Sequence, residues 1–178
     1  MSEKYIVMKN RYNTISISYY NVEQRLFTYS YYVGEARRAT GVPAQQTSAM
    51  QASSDDRAQI LDHLHMALTD VTRFMNRYFR SCSCKVGADS LHDGYEMYEF
   101  TFFAPERFPE NMLPQLLQCV ESYLVMRTLN MWMLQHKPDE AVLTAAEAEK
   151  LLVQLRELMN LRTKPQSAKR TTRKNIEI

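Results

Sequence analysis

The amino-acid sequence predicts a mainly helical α+β domain, a four-helix, bundle-like core with a small antiparallel β-hairpin or sheet. Three observations lead there. Four long stretches carry apolar residues at steps of three and four, the spacing of one helix face. Two shorter stretches, 14–20 and 95–103, alternate apolar with polar residues as half-buried strands do. Only 4 Gly and 6 Pro punctuate 178 residues while Met and Tyr occur 11 times each, so long regular elements with adaptable thioether packing are expected.

Along the chain, 4–8 (Lys-Tyr-Ile-Val-Met) is β-rich, and in 14–20 Ile15, Ile17 and Tyr19 alternate with Ser16 and Ser18. Asn10 to Asn13 between them either turn a hairpin or leave an extended arm. Asn21 with Gln24 three residues later reads as a capped helix start, and Val22, Leu26, Tyr29 and Val33 then give a helix over 22–40, ended by Gly41 and Pro43. The small, polar run 44–53 reads as a surface loop. Ser54 followed by Asp55 and Asp56 places a cap and two carboxylates at the positive end of the next helix. Its stripe of Leu61, Leu64, Leu68, Val71, Met75 and Tyr78 extends to about Phe79.

The period then shortens. Residues 82–86 and 95–103 bracket the turn signal His92-Asp93-Gly94 and predict a hairpin, to which 14–20 adds a third strand because an isolated hairpin is only marginally stable. A long helix follows over 111–135 with Pro114 in its first turn, and its apolar residues spread around the whole cylinder, which makes it central or covered by another subunit. Pro138-Asp139-Glu140 opens the last helix, and Pro165 stops it.

Composition bounds the function classes. Of 22 basic and 20 acidic residues, 162–178 hold Arg162, Lys164, Lys169, Arg170, Arg173 and Lys174 against Glu177 alone, which leaves the remainder with a net charge of −3. The organisation expected is a single domain over 1–163 and a flexible basic tail over 164–178. No secretory leader and no run of 18 apolar residues is visible, and three cysteines are too few for a disulfide framework, so the chain is expected in a reducing cytosol, off the membrane.

No residue pattern argues for an enzyme. Cys82-Ser83-Cys84 and His63-Leu64-His65 lack zinc spacing, and helical residues two apart diverge by about 200°. Cys119 reads as a small core residue. Four isolated glycines build no phosphate cradle. The expected cofactor and metal content is none. Tyr29, Tyr31 and Tyr32 beside Arg37 and Arg38 suit base stacking, but tyrosine at helical spacing more often packs its ring in a core or interface.

The runs Tyr98-Glu99-Phe100 to Pro105, Leu113-Pro114-Gln115-Leu116-Leu117, Tyr123-Leu124-Val125, Trp132-Met133 and Lys137-Pro138-Asp139-Glu140-Ala141, with the terminal Glu/Leu/Arg helix, cover about the last two-thirds of the chain. In these runs the sequence resembles small virion structural proteins of tailed phages and prophages, of the head–tail connector, neck or tail-completion type. The resemblance implies a non-enzymatic subunit that forms a homo-oligomeric ring and meets portal or tail subunits, in the virion and in the host cytoplasm before assembly. The expected assembly interface is Tyr98, Phe100, Phe102, Tyr123, Met126 and Trp132. Lys164, Lys169, Arg170, Arg173 and Lys174 are the expected tail contacts, to a partner protein or nonspecifically to DNA. The competing expectation is a cytosolic nucleic-acid-binding helical module that acts through this tail.

Overall fold

Strand β1 (Tyr12–Ser18) passes into helix α1 (Tyr19–Ala39) with no intervening loop. This computed structural model describes residues 12–48 and 51–162. The helix therefore begins at Tyr19 and not at 22. Ser18 is the cap position, yet its hydroxyl makes no capping bond, because it donates to Asp89 Oδ2 at 2.5 Å. The expected strand at 4–8 and the expected tail contacts at Lys164, Lys169, Arg170, Arg173 and Lys174 lie outside the described residues.

The stretch read as a loop contains a short helix, α2 (Ala44–Ser48). It folds back on α1 where Gly34 leaves room: a Cβ there would meet Gln51 Nε2 at 2.9 Å and the Thr47 carbonyl at 3.2 Å. Ser30 Oγ accepts the Ala52 amide at 3.1 Å and pins the return. Helix α3 (Arg57–Met75) starts later than Ser54, since Ser53 and Asp56 form a capping box around an intervening 3-10 turn. It also stops before Phe79: Asn76–Phe79 form a turn whose Asn76 Oδ1 accepts the Cys82 amide at 2.7 Å.

Strands β2 (Arg80–Ala88) and β3 (Glu96–Phe103) make the expected hairpin, and β1 completes an antiparallel sheet of order β1-β3-β2. Ile15 pairs across from Phe100 and Ile17 from Tyr98, so period-two alternation puts these four side chains and Phe102 on one face. That face is buried against the helices, whereas Thr14, Ser16, Glu99, Ser83 and Lys85 face outward. Phe79 stacks on Phe102 at 4.4 Å and Phe108 closes edge-on against Phe79 at 5.5 Å. A bulge between Arg80 and Ser83, with Ser81 at φ 47°, bends the start of β2.

Helix α4 (Leu113–His136) is the axis of the molecule and packs against α5 (Pro138–Asn160), α3, α1 and β1. This is why its apolar residues go all the way round: Leu116, Val120, Leu124, Val125, Leu129 and Met133 lie on different sides of the cylinder and are all buried. Buried Asn130 ties the α4–α5 hairpin by donating to the Ala141 carbonyl at 2.7 Å. Arg25 ties α1 to α4 through Glu121 at 3.2 Å and Ser122 Oγ at 3.0 Å. Among the described residues no helix is long and apolar enough to cross a membrane.

One carboxylate joins α1, α3 and the β2–β3 connection. Glu23 on α1, 1% exposed, takes Arg57 Nε at 2.9 Å and Nη2 at 3.1 Å, and also accepts the hydroxyls of Tyr19 and Tyr95 at 3.0 Å each. Burial alone would raise its pKa, but these donors outweigh burial and hold the carboxyl below its ordinary value. The Arg57 guanidinium also lies over the Tyr95 ring, 4.5 Å from the centroid. Glu23→Ala is expected to destabilise the fold by about 2–4 kcal/mol, because two hydroxyls and a guanidinium lose their acceptor. In urea unfolding, Arg57→Ala should overlap with it, so the double variant loses at least about 1 kcal/mol less than the two single losses together.

Candidate functional site

The six expected interface residues are not a surface. Tyr98, Phe100, Phe102, Tyr123 and Trp132 are all buried within the chain, and Met126 is half-buried against the same core. The physical reason is that β3 is the central strand. Alternation identifies its apolar face correctly, but that face is covered by the chain's own helices. Of the core or interface expected for the tyrosines of α1, the chain's own core is excluded, because Tyr29, Tyr31 and Tyr32 are exposed. Their neighbours Arg37 and Arg38 hold Glu140 and Glu35.

The surfaces available for association lie elsewhere. Among the described residues the sheet has two open edges, β1 and β2, and an edge strand presents unpaired backbone groups to any chain that can pair with them. Along β2 the helix-facing side is incompletely covered. Cys84 and Val86 share the face of Phe100 and Tyr98, but Val86 is 56% exposed. Together with His65, Leu68, Thr69, Thr72 and Arg73 of α3 they line a mainly apolar groove of about 430 Å³ that runs between the strand and the helix. A second apolar feature is the outer side of α5 with the adjoining end of α4, where Val142, Leu143, Val153 and Leu134 are exposed. Neither feature announces itself in the sequence, since Val86 and Val142 look like any other strand or helix valine.

A second groove, about 360 Å³, is polar. Arg127 sits in it with Asp70, at 3.3 Å, and Arg73, Arg77, Glu149 and Tyr123 also line it. Burial chiefly, and then the nearby Asp70, push the Tyr123 hydroxyl up to about 12, so it is a neutral phenol at physiological pH.

The ionisable groups of the interior are occupied in structure. Asp89 accepts from Ser18, from the Leu91 amide at 2.9 Å and from His92 Nδ1 at 3.0 Å. The Ser18 bond first, then the Leu91 amide, bring its carboxyl down to about 2. Burial raises the thiols of Cys82, Cys84 and Cys119 to about 11, which leaves little thiolate at neutral pH. His63 is buried and His65 exposed beside Glu96, so the two imidazoles do not converge. Among the described residues no group of three or more His, Cys, Asp or Glu is placed to hold a metal ion.

Comparison of the chain with protein-family models, with curated proteins and with solved structures finds no match in any of the three.

His63 generates a pH dependence. Its Nε2 faces the Gln135 amide nitrogen at 3.4 Å, and its Nδ1 is buried without a partner among the described residues. Burial, and secondarily His136, lower its pKa below the ordinary 6.5. The unfolded chain therefore takes up the proton first, and stability falls as pH drops below 6.5, by no more than about 1.4 kcal/mol per pH unit from this group. A further loss sets in below about pH 4, where protonation takes away what Glu23 and Asp89 contribute. Thermal melts from pH 8 to 5 should show the first decline in the wild type and a flatter profile in His63→Gln.

Proposed function

We propose that this chain is a non-enzymatic structural protein of a tailed-phage or prophage virion, which assembles as a homo-oligomeric ring at the head–tail neck or tail. The observation that carries the reading is the pairing of a self-sufficient core with an open sheet edge over an apolar groove. The described residues complete their own interior and leave unused a strand edge and apolar surface that further chain can cover. A ring needs two different surfaces on each subunit, so that each contact leaves one free for the next copy. The β2 edge with its groove is one such surface, and its counterpart is a different part of the neighbouring copy. The buried carboxylates and thiols support a non-catalytic role, being spent on internal bonds or held protonated. The residue runs that resemble connector and tail-completion proteins supply the virion context. The partners on this reading are further copies and portal or tail subunits, in the virion and in the host cytoplasm before assembly.

A specific observation also favours the alternative, a nucleic-acid-binding module acting through its tail. Tyr29, Tyr31 and Tyr32 stand exposed, and the basic residues from Lys164 to Lys174 outnumber the acidic ones.

Light scattering over a concentration series at low and moderate salt separates the two. Assembly through strand edges and apolar surface gives a mass several times 20.9 kDa that persists at moderate salt. A mass fixed at 20.9 kDa throughout, with DNA affinity that falls steeply with salt and collapses when 164–178 is deleted, contradicts self-assembly and selects the nucleic-acid module.

A further inference from the structure

We propose that the groove beside β2 receives the N-terminal segment 4–8 of a second copy of this chain as an added strand. The inference rests on the self-assembly reading and names the interface that carries it. The groove has the features that strand addition uses: a free strand edge to supply backbone hydrogen bonds, and apolar pockets beside it for alternate side chains of the incoming strand. Val86 and Cys84 line the groove from the edge strand, and Leu68, Thr69 and Thr72 line it from α3. The lining is apolar enough to select an apolar strand.

The sequence carries a segment suited to this outside the described residues. Eleven residues precede β1, and among them Tyr5-Ile6-Val7-Met8 is an unbroken run of residues that favour strands or adapt to them, bounded by Lys4 and Lys9. Either face of this run offers apolar side chains to a groove.

Reach argues for a second copy rather than the chain's own arm. Strands β1 and β2 lie at opposite edges of the sheet with β3 between them, and Tyr12 and Arg80 both pair with Phe103 at the same end. A strand added outside β2 would stand three inter-strand spacings from β1, about 14 Å. Residues 9–11, the link between Met8 and Tyr12, span at most about 14 Å when fully extended. Nothing would remain for rounding the end of the sheet. The arm of a neighbour has no such limit. Because each copy gives an arm from its β1 side and receives one at β2, the contact is head-to-tail and propagates around a ring.

The test uses full-length chains in which either half of the contact is spoiled. Ile6→Asp with Val7→Asp ruins the arm on both faces, and Val86→Lys places a charge on the edge at a position already 56% exposed, so both variants should still fold and unfold cooperatively, without the stabilisation that assembly adds to the wild type. Each variant alone is expected to fall to 20.9 kDa by light scattering, while an equimolar mixture forms a dimer, since one partner retains a good groove and the other a good arm. A wild-type oligomer whose mass neither variant changes overturns this inference and leaves self-assembly standing, whether the arm pairs with its own β1 or elsewhere. Variants that both fall to monomer mass but do not dimerise on mixing overturn it too. A monomeric wild type overturns the self-assembly reading and this inference together.

Discussion

The Glu23 carboxylate is the constraint on which the rest of the arrangement hangs. It sits on the first turns of α1, yet its partners come from the start of α3 and from the end of the β2–β3 connection. Placing a carboxylate at 1% exposure is favourable only when its oxygens are filled, and four donor contacts from three side chains fill them. Next to it, Asp89 holds Ser18 at the β1–α1 junction, and the Tyr20 ring stacks on His92 at 4.1 Å and meets Tyr95 edge-on at 5.1 Å. These contacts fix where the hairpin lies against α1 and α3. That placement in turn decides which part of the β2 edge α3 covers and which part stays open as a groove.

Hydrophobic burial supplies the stability around this frame, and polar contacts supply the alignment. The apolar interior is continuous from Ile15 and Ile17 through Phe100 and Phe102 to α4 and α5. Apolar contacts are nondirectional and would tolerate sliding of one helix along another. The bonds of Asn130 to Ala141, of Arg25 to Glu121 and Ser122, and of Glu23 to Arg57 each join two elements at a fixed register. A chain that locks its interior in this way can meet other copies as a rigid body, which suits a subunit repeated around a ring.

Much of the fold was legible in the sequence because it follows from periodicity and punctuation. The stripe from Leu64 to Met75, the wrap-around apolarity of α4 and the prolines opening α4 and α5 all led to the observed helices, and alternation in 95–103 led to the central strand. The boundaries slipped where tertiary contacts overrule local preference. Tyr19 and Tyr20 favour strands, yet they begin α1 because Tyr19 serves Glu23 one turn on and Tyr20 packs on the hairpin connection. The Glu23–Arg57 pair was invisible, since nothing in a helical glutamate announces an arginine 34 residues away. The expected interface failed for a related reason. Periodicity shows that Tyr98, Phe100 and Phe102 must be covered but not by what, and the chain's own helices do the covering. The open edge follows only from the strand order, which no local pattern encodes.

The proposed contact between copies is at β2. Amide hydrogen exchange measured at rising protein concentration addresses that strand directly. Added protection of Ser83 to Ala88 as concentration rises, with the polar outward face of the helices unchanged, is the result this account predicts. Exchange at β2 that does not respond to concentration, in a sample whose mass shows assembly, would contradict it.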